Sequence, residues 1–159
     1  MPSIEEVKAY LAACGVPVLE FATPTPCSLS AAAAVGCSVA EIAKSILFIV
    51  GGEPVLVVTS GDMKVKSSLL KQALGRSGKV RLPEAGEVLQ HTGYAPGGVC
   101  PFLLPPELPV LLDGSLRRFA TVYPAAGNDY SAVPLSVERL LELTGATEVM
   151  VCEPLAPKV

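Results

Sequence analysis

This 159-residue chain is poor in histidine and has no tryptophan; its only imidazole is His91. A single histidine excludes a multi-histidine metal site and makes any Ser-His or Cys-His scheme depend on that one residue. Charged residues are sparse, at 17%, and aromatics make up 5%. The net charge of −3 excludes a protein that is basic throughout, so any nucleic-acid contact needs a local patch. The longest apolar runs, residues 46–50 and 55–58, are strand-sized and far short of a bilayer span. At the N-terminus, Met1-Pro2-Ser3-Ile4-Glu5-Glu6 carries acids where a signal peptide carries bases, which argues against secretion. The five cysteines are odd in number and contain no CxxC pair, so neither a disulfide framework nor a zinc ribbon is indicated. The expectation is a cytoplasmic protein with reduced thiols and neither metal nor cofactor.

Half of the residues are apolar, enough to bury the core of one domain spanning residues 1–159. Ser3 and Glu6 form a capping box ahead of Val7, Tyr10, Leu11 and Cys14, which share a helix face, and Gly15 closes the segment. A proline-rich stretch, 17–26, leads to an alanine-rich helix near 30–35, ended by Gly36. Ser38 and Glu41 make a second capping box, predicting a short helix that runs out near Lys44. Residues 45–50 read as a strand, Gly51-Gly52 as a turn, and 54–59 as the returning partner. Asp62 is expected to cap a helix with Val65, Leu69 and Ala73 inward, stopped by Gly75.

Residues 80–82 suit a short strand, and Pro83 the first turn of a helix through Val88 and Leu89. From 93 to 109, glycine and proline clusters alternate with a single charge, Glu107. Residues 110–113 and 119–122 read as strands, 134–145 as a closing helix, 148–151 as a last strand and 153–159 as a loose tail. The connections at Gly51-Gly52 and Gly114 are too short for parallel crossovers. Together these elements predict an α/β protein of the α+β type, with a mixed, largely antiparallel sheet or partial barrel and helices outside it.

Several features can carry chemistry. Lys44 is the only base between Lys8 and Lys64, beside an apolar strand. It is either a snorkelling lysine at a helix C-terminus or an ammonium at a cleft edge, with the Ser45 hydroxyl beside it to orient a carbonyl or carboxylate. Residues 92–102, TGYAPGGVCPF, do not fit a dinucleotide fingerprint, because Pro101, Pro105 and Pro106 forbid the helix that it must open. The segment is either a plain turn or a nest of backbone N–H groups at Gly97 and Gly98 suited to a developing oxyanion. Ala126-Gly127 permits close approach of a ligand, or simply a hairpin. Asp113 can orient Lys44 or serve as a turn residue before Gly114. Cys27 and Cys100 are the loop thiols, and His91 at a helix end reads as a cap. Lys64, Lys66, Lys71, Arg76, Lys79 and Arg81 lie in a stretch without acids, which suits either a solvated face or a phosphate backbone.

In order, SVAEIAKSILF at 38–48, VVTSGD at 57–62, GYAPGGVCPF at 93–102 and Ala125-Ala126-Gly127 resemble the YbaK/EbsC family of aminoacyl-tRNA deacylases. That superfamily includes the editing insertion of bacterial prolyl-tRNA synthetases, and the resemblance covers roughly residues 25–145. It implies one pocket without a metal in a YbaK/ProRS-associated-domain-like fold. Lys44 and the Gly97 and Gly98 backbone would be catalytic. Ser45, Thr59, Pro101, Asp113, Ala126 and Gly127 would contact substrate, and the basic run would meet the tRNA backbone. One departure is Asn128-Asp129, where many members carry a base after the small-Gly pair. The implied activity is trans-editing of mischarged tRNA, Cys- or Ala-tRNA(Pro) above all, with prolyl-tRNA synthetase as a partner. The alternatives are a non-catalytic tRNA-, synthetase- or small-ligand-binding module and a thiol hydrolase built on Cys100 and His91.

Overall fold

The computed structural model describes residues 3–25 and 27–155. Helix α1, Ile4–Ala13, starts where the sequence expects it, with the Ser3 hydroxyl accepting the Glu6 amide at 3.2 Å. Strand β1, Leu19–Glu20, is followed by α2, Ser28–Val35, which Gly36 ends in the left-handed conformation at φ 84°. Strands β2, Ala43–Val50, and β3, Glu53–Ser60, form an antiparallel hairpin in full register from Ala43–Ser60 to Val50–Glu53. Gly51 and Gly52 turn it with φ of 58° and 85°, values that side chains resist.

Next come β4, Met63–Val65, α3, Ser67–Leu74, β5, Val80–Arg81, and α4, Ala85–Thr92. After the glycine–proline loop lie β6, Val110–Asp113, β7, Ser131–Ala132, α5, Val137–Thr144, β8, Thr147–Val149, and β9, Cys152–Pro154. The central sheet runs β5-β2-β3-β6-β8, and β1-β7 and β4-β9 form two small ribbons. β6 lies parallel to β3 and to β8, while the other four pairings are antiparallel. The sheet is therefore mixed and largely antiparallel, and it does not close into a barrel.

Period-two alternation divides the hairpin between two cores. Ala43, Leu47, Leu56 and Val58 face Val7 and Leu11 of α1 and Val137 and Leu140 of α5. Val50, Val55 and Val57 face Leu70 of α3 and Val151. Because both faces of β3 are covered, residues 55–60 are all buried and their sequence reads as a run rather than an alternation. Each fully buried aliphatic side chain contributes about 1.5–3 kcal/mol.

Four local expectations are corrected. The Ser38–Glu41 box closes only a 3-10 turn, Val39–Glu41, and Ile42 is already extended at ψ 128°. Lys44 therefore lies inside β2, opposite Thr59, because sheet pairing overrides the short capping signal. Asp62 caps no helix; β4 follows it, α3 begins only at Ser67, and the buried residue of α3 is Leu70 while Ala73 is exposed. Residues 119–122 follow a 3-10 turn, Gly114–Arg118, and make a single bridge, Val122 to Leu135, in place of a strand. Glu153 and Pro154, expected in a loose tail, pair in β9 with Lys64 and Met63, and residues 156–159 of that tail lie outside the described residues. Among the described residues no helix is long and apolar enough to cross a membrane.

Candidate active site

The start of β2 forms one wall of a cavity of about 470 Å³. Ala43, Lys44 and Ser45 line it there, facing Cys27, Ser28 and Ala31 at the N-terminus of α2. Gly61, just beyond β3, Gly97 and Val99 of the glycine–proline loop, and Tyr123, Ala125, Asn128, Ser131 and Ala132 line the rest of it. Gly61 is required sterically, since a Cβ there would overlap the Val39 carbonyl oxygen and sit 2.9 Å from Cβ of Ser28. The bare backbone lets the 3-10 turn and α2 press against the hairpin end and shape the cavity.

Lys44 is half-buried, and its Nζ donates a long 3.4 Å hydrogen bond to the Gly61 carbonyl. No ion pair holds it among the described residues. Burial pulls its pKa below the usual lysine range, opposed by Cys152 and then by the charge of Asp62. The next residue of the strand, Ser45, has its Oγ buried without a hydrogen-bond partner among the described residues. Such a hydroxyl is costly unless something in the cavity satisfies it. The site thus offers an ammonium with spare donors, an unmatched hydroxyl and the Gly97 backbone.

Of the other expected residues, Thr59, Gly98, Pro101, Asp113, Ala126 and Gly127 do not line the cavity. The Gly98 amide donates to the Ala95 carbonyl at 3.0 Å, so it is consumed by the turn that it was expected to open to a ligand. Asp113 is fully buried and accepts the Ser115 amide at 3.0 Å and the Val151 amide at 2.8 Å. It holds the backbone, not Lys44. The hydroxyls of Thr59 and Ser115 lie 3.3 Å apart in the interior. Pro101 lines a separate hollow with Tyr10 and Leu143. The Ala126 amide donates to the Ser131 hydroxyl at 3.0 Å, so that loop shapes the wall from behind.

Thr25, Ser28, Ala31, Tyr123 and Ser131 line the cavity but carried no signal in the sequence, because each is an ordinary loop or helix-end residue until the chain folds. Asn128, noted as a departure, lines it too.

The basic run is less free than its sequence implies. Lys64 pairs with Glu153 at 3.4 Å, and Arg81 forms two 2.8 Å hydrogen bonds to Glu87. Arg76 donates to the Glu53 carbonyl. Lys79 and Arg81 sit by Gly51 and Ile49, at the end of β2 opposite Lys44, roughly 20 Å of strand away. Lys64 and Lys66 stand three and five residues beyond Gly61, in and just after β4, and Lys71 is on α3.

The model for the aminoacyl-tRNA editing domain matches residues 22–143, which takes in every element of this cavity. The chain belongs to that family. This editing domain is 41% identical over 128 residues to YwhH of Bacillus subtilis (strain 168), described as uncharacterized, covering 80% of each chain. It is 30% identical over 101 residues to the proline--tRNA ligase of Lysinibacillus sphaericus (strain C3-41), covering 63% of this chain but 18% of the ligase. A solved structure of a candidate trans-editing enzyme for prolyl tRNA synthetase superposes with a TM-score of 0.85 at 31% identity, covering 96% of this chain and 98% of that one. The editing domain is an aminoacyl-tRNA deacylase, a hydrolase of aminoacyl-tRNA esters.

The thiol-hydrolase alternative fails on geometry. Cys100 is fully buried, its Sγ is directed at the Phe102 carbonyl, and burial pushes its thiol up to about 11. No hydrogen bond joins it to His91, which lies by a different hollow with Arg76 and Glu107. Cys27 is the contrast: exposed at the cavity rim, with its pKa lowered by hydrogen bonding to Ser30. Iodoacetamide should therefore modify Cys27 of the native protein at least about tenfold faster than Cys100, read by peptide mass spectrometry. Equal rates would mean that Cys100 is far more open than its burial indicates.

Proposed function

We propose that this editing domain works in trans on tRNA(Pro) carrying the wrong amino acid, cysteine or alanine, and that prolyl-tRNA synthetase is its partner. The carrying observation is Lys44, a half-buried lysine of the cavity wall whose ammonium makes one long hydrogen bond and no ion pair among the described residues. A charge kept out of water without a partner carboxylate is suited to an anionic or strongly polar ligand. The relationship to a proline--tRNA ligase and to a candidate trans-editing enzyme supports the choice of tRNA.

An aminoacyl ester is already activated, so hydrolysis asks for positioning and oxyanion stabilisation more than for a strong protein nucleophile. Lys44 anchors the terminal nucleotide's phosphate or ribose, or polarises the ester. Ser45 Oγ completes the polar contact. With the Gly98 amide engaged, the loop's contribution to the developing oxyanion narrows to Gly97. Attack at the carbonyl carbon comes from a held water or, for a cysteinyl ester, from the substrate's own thiol. The ribose oxygen leaves and takes up a proton. The small side chains of Ala31, Val99 and Ala125 bound the space for the amino acid. Size alone discriminates by only about 1–3 kcal/mol per methylene. Lys64 and Lys66 are the bases of the run assigned to the acceptor end, and the reaction belongs with the cytoplasmic tRNA pool.

A deacylation panel of tRNA charged with cysteine, alanine, proline and serine tests this reading. Cys- or Ala-tRNA(Pro) should be cleared at least about tenfold faster than Pro-tRNA(Pro). Tight binding of all four with no cleavage, or equal cleavage of all four, overturns it.

A further inference from the structure

Asp62 follows Gly61, whose carbonyl receives Lys44 Nζ, yet Asp62 is not paired with Lys44. Both of its carboxylate oxygens are taken by Arg118, at 2.7 Å from Nη2 and 3.0 Å from Nη1. Arg118 is itself fixed: its Nε donates to the Ser115 carbonyl at 2.8 Å, and its guanidinium lies 5.0 Å from the centroid of the Phe119 ring. The 3-10 turn that carries Arg118 is tied in turn by Asp113 through the Ser115 amide. The two partners are 56 positions apart, so this arrangement arises only in the fold.

We propose that Asp62 is a positioning residue for Lys44: it sets a carboxylate next to the Gly61 carbonyl that receives Nζ, while Arg118 withholds that carboxylate from direct pairing so that the lysine's donors stay open to substrate. This rests on the role given to Lys44 above. An exposed ion pair such as Asp62–Arg118 adds little to stability. Its consequence is electrostatic and local. The titratable groups that act electrostatically on Lys44 are Cys152, on β9, and Asp62, in the turn between β3 and β4. Burial pushes the Cys152 thiol up to about 12, with Asp113 also acting on it, so that thiol is neutral in the physiological range. Arg118 holds the Asp62 carboxyl below the usual carboxylate range, so Asp62 is ionised there. Asp62 is then the charge that opposes the desolvation of Lys44. Were it free to rotate onto Nζ, the same carboxylate would consume the donors that a phosphate or ester needs.

The device predicts opposite effects for its two halves. An amine-acylating reagent used at trace level reacts only with neutral amines, and peptide mass spectrometry reads Lys44 against the exposed Lys79. In D62N, which preserves shape and removes the charge, Lys44 should be acylated at least about threefold faster at pH 8 than in the wild type. In R118Q, which frees Asp62, Lys44 should be acylated at least about threefold more slowly. Cleavage of mischarged tRNA should fall in both, for different reasons. D62N should move the alkaline limb of the kcat/KM profile to lower pH, whereas R118Q should raise KM. D62E, which keeps the charge, should restore the limb. Melting curves near the wild type's confirm that the variants are folded. Equal acylation of Lys44 in all forms, or the same direction of change in D62N and R118Q, overturns the proposal. The labelling needs no substrate, so a wild type that cleaves none of the four tRNAs would count against the functional reading alone.

Discussion

Lys44→Ala will abolish deacylation while leaving the fold intact. The loss expected is about 10²–10³-fold in kcat/KM, the scale seen when one group stabilising developing charge is removed from a dry site. The fold survives because the side chain is only half-buried and makes one 3.4 Å hydrogen bond to the Gly61 carbonyl. Its removal relieves a desolvated charge and opens no gap in either core. A single-turnover assay on mischarged tRNA, with a melting curve alongside, reads both halves of the prediction. An increase mainly in KM would identify Lys44 as the anchor of the nucleotide, and a fall mainly in kcat would identify it as the group that polarises the ester. Full activity would remove the basis of the mechanism. His91→Ala is the matched control, since His91 lies by another hollow.

Asp113→Ala will cost stability, not chemistry. The carboxylate is fully buried and accepts two backbone amides, from Ser115 and Val151. Alanine leaves both amides without an acceptor, at about 1–3 kcal/mol each. Summed, that is roughly 2–6 kcal/mol, or a fall in Tm of about 5–20 °C for a domain of this size. Asparagine should recover part of the loss, because its single carbonyl oxygen can serve one amide while its NH₂ meets the other donor. Activity per folded molecule, measured well below the transition, should fall far less than in Lys44→Ala, since Asp113 does not line the cavity and reaches Lys44 only through the turn that carries Arg118. Loss of activity with an unchanged Tm would return Asp113 to the reaction.

These two residues show how legible the site was. Lys44 stood out in the sequence because it interrupts a long stretch without bases, and the cavity contains it. Asp113 stood out for an equally good local reason, a carboxylate at a strand end before Gly114. The fold uses it to tie Ser115 and Val151 in place, and the Val151 amide comes from 38 positions away. Nothing near Asp113 in the sequence announces that partner. Gly97 and Gly98 illustrate the same limit over two adjacent residues: both are small and flexible, but only the turn geometry shows that the Gly98 amide is spent on Ala95. The acid-free basic run read as one surface, yet Glu153 and Glu87 come from other elements to pair with Lys64 and Arg81.

What the sequence determined by itself was whatever local stereochemistry decides. The Ser3 cap, the Gly51-Gly52 turn and the helix stops at Gly36, Gly75 and Gly145 depend on residues a few positions apart, and all of them form. The hairpin follows from its apolar runs and the turn between them. With one histidine, the chain also excluded every scheme that needs two. Only the tertiary structure decided that Lys44 sits inside a strand, that its cavity is closed by α2 and two distant loops, and that Asp62 faces Arg118 across 56 positions. The physical reason is the range of the forces. Caps and turns are settled within one turn of chain, whereas the charge state and free donors of a half-buried lysine depend on which distant groups the packed sheet brings beside it.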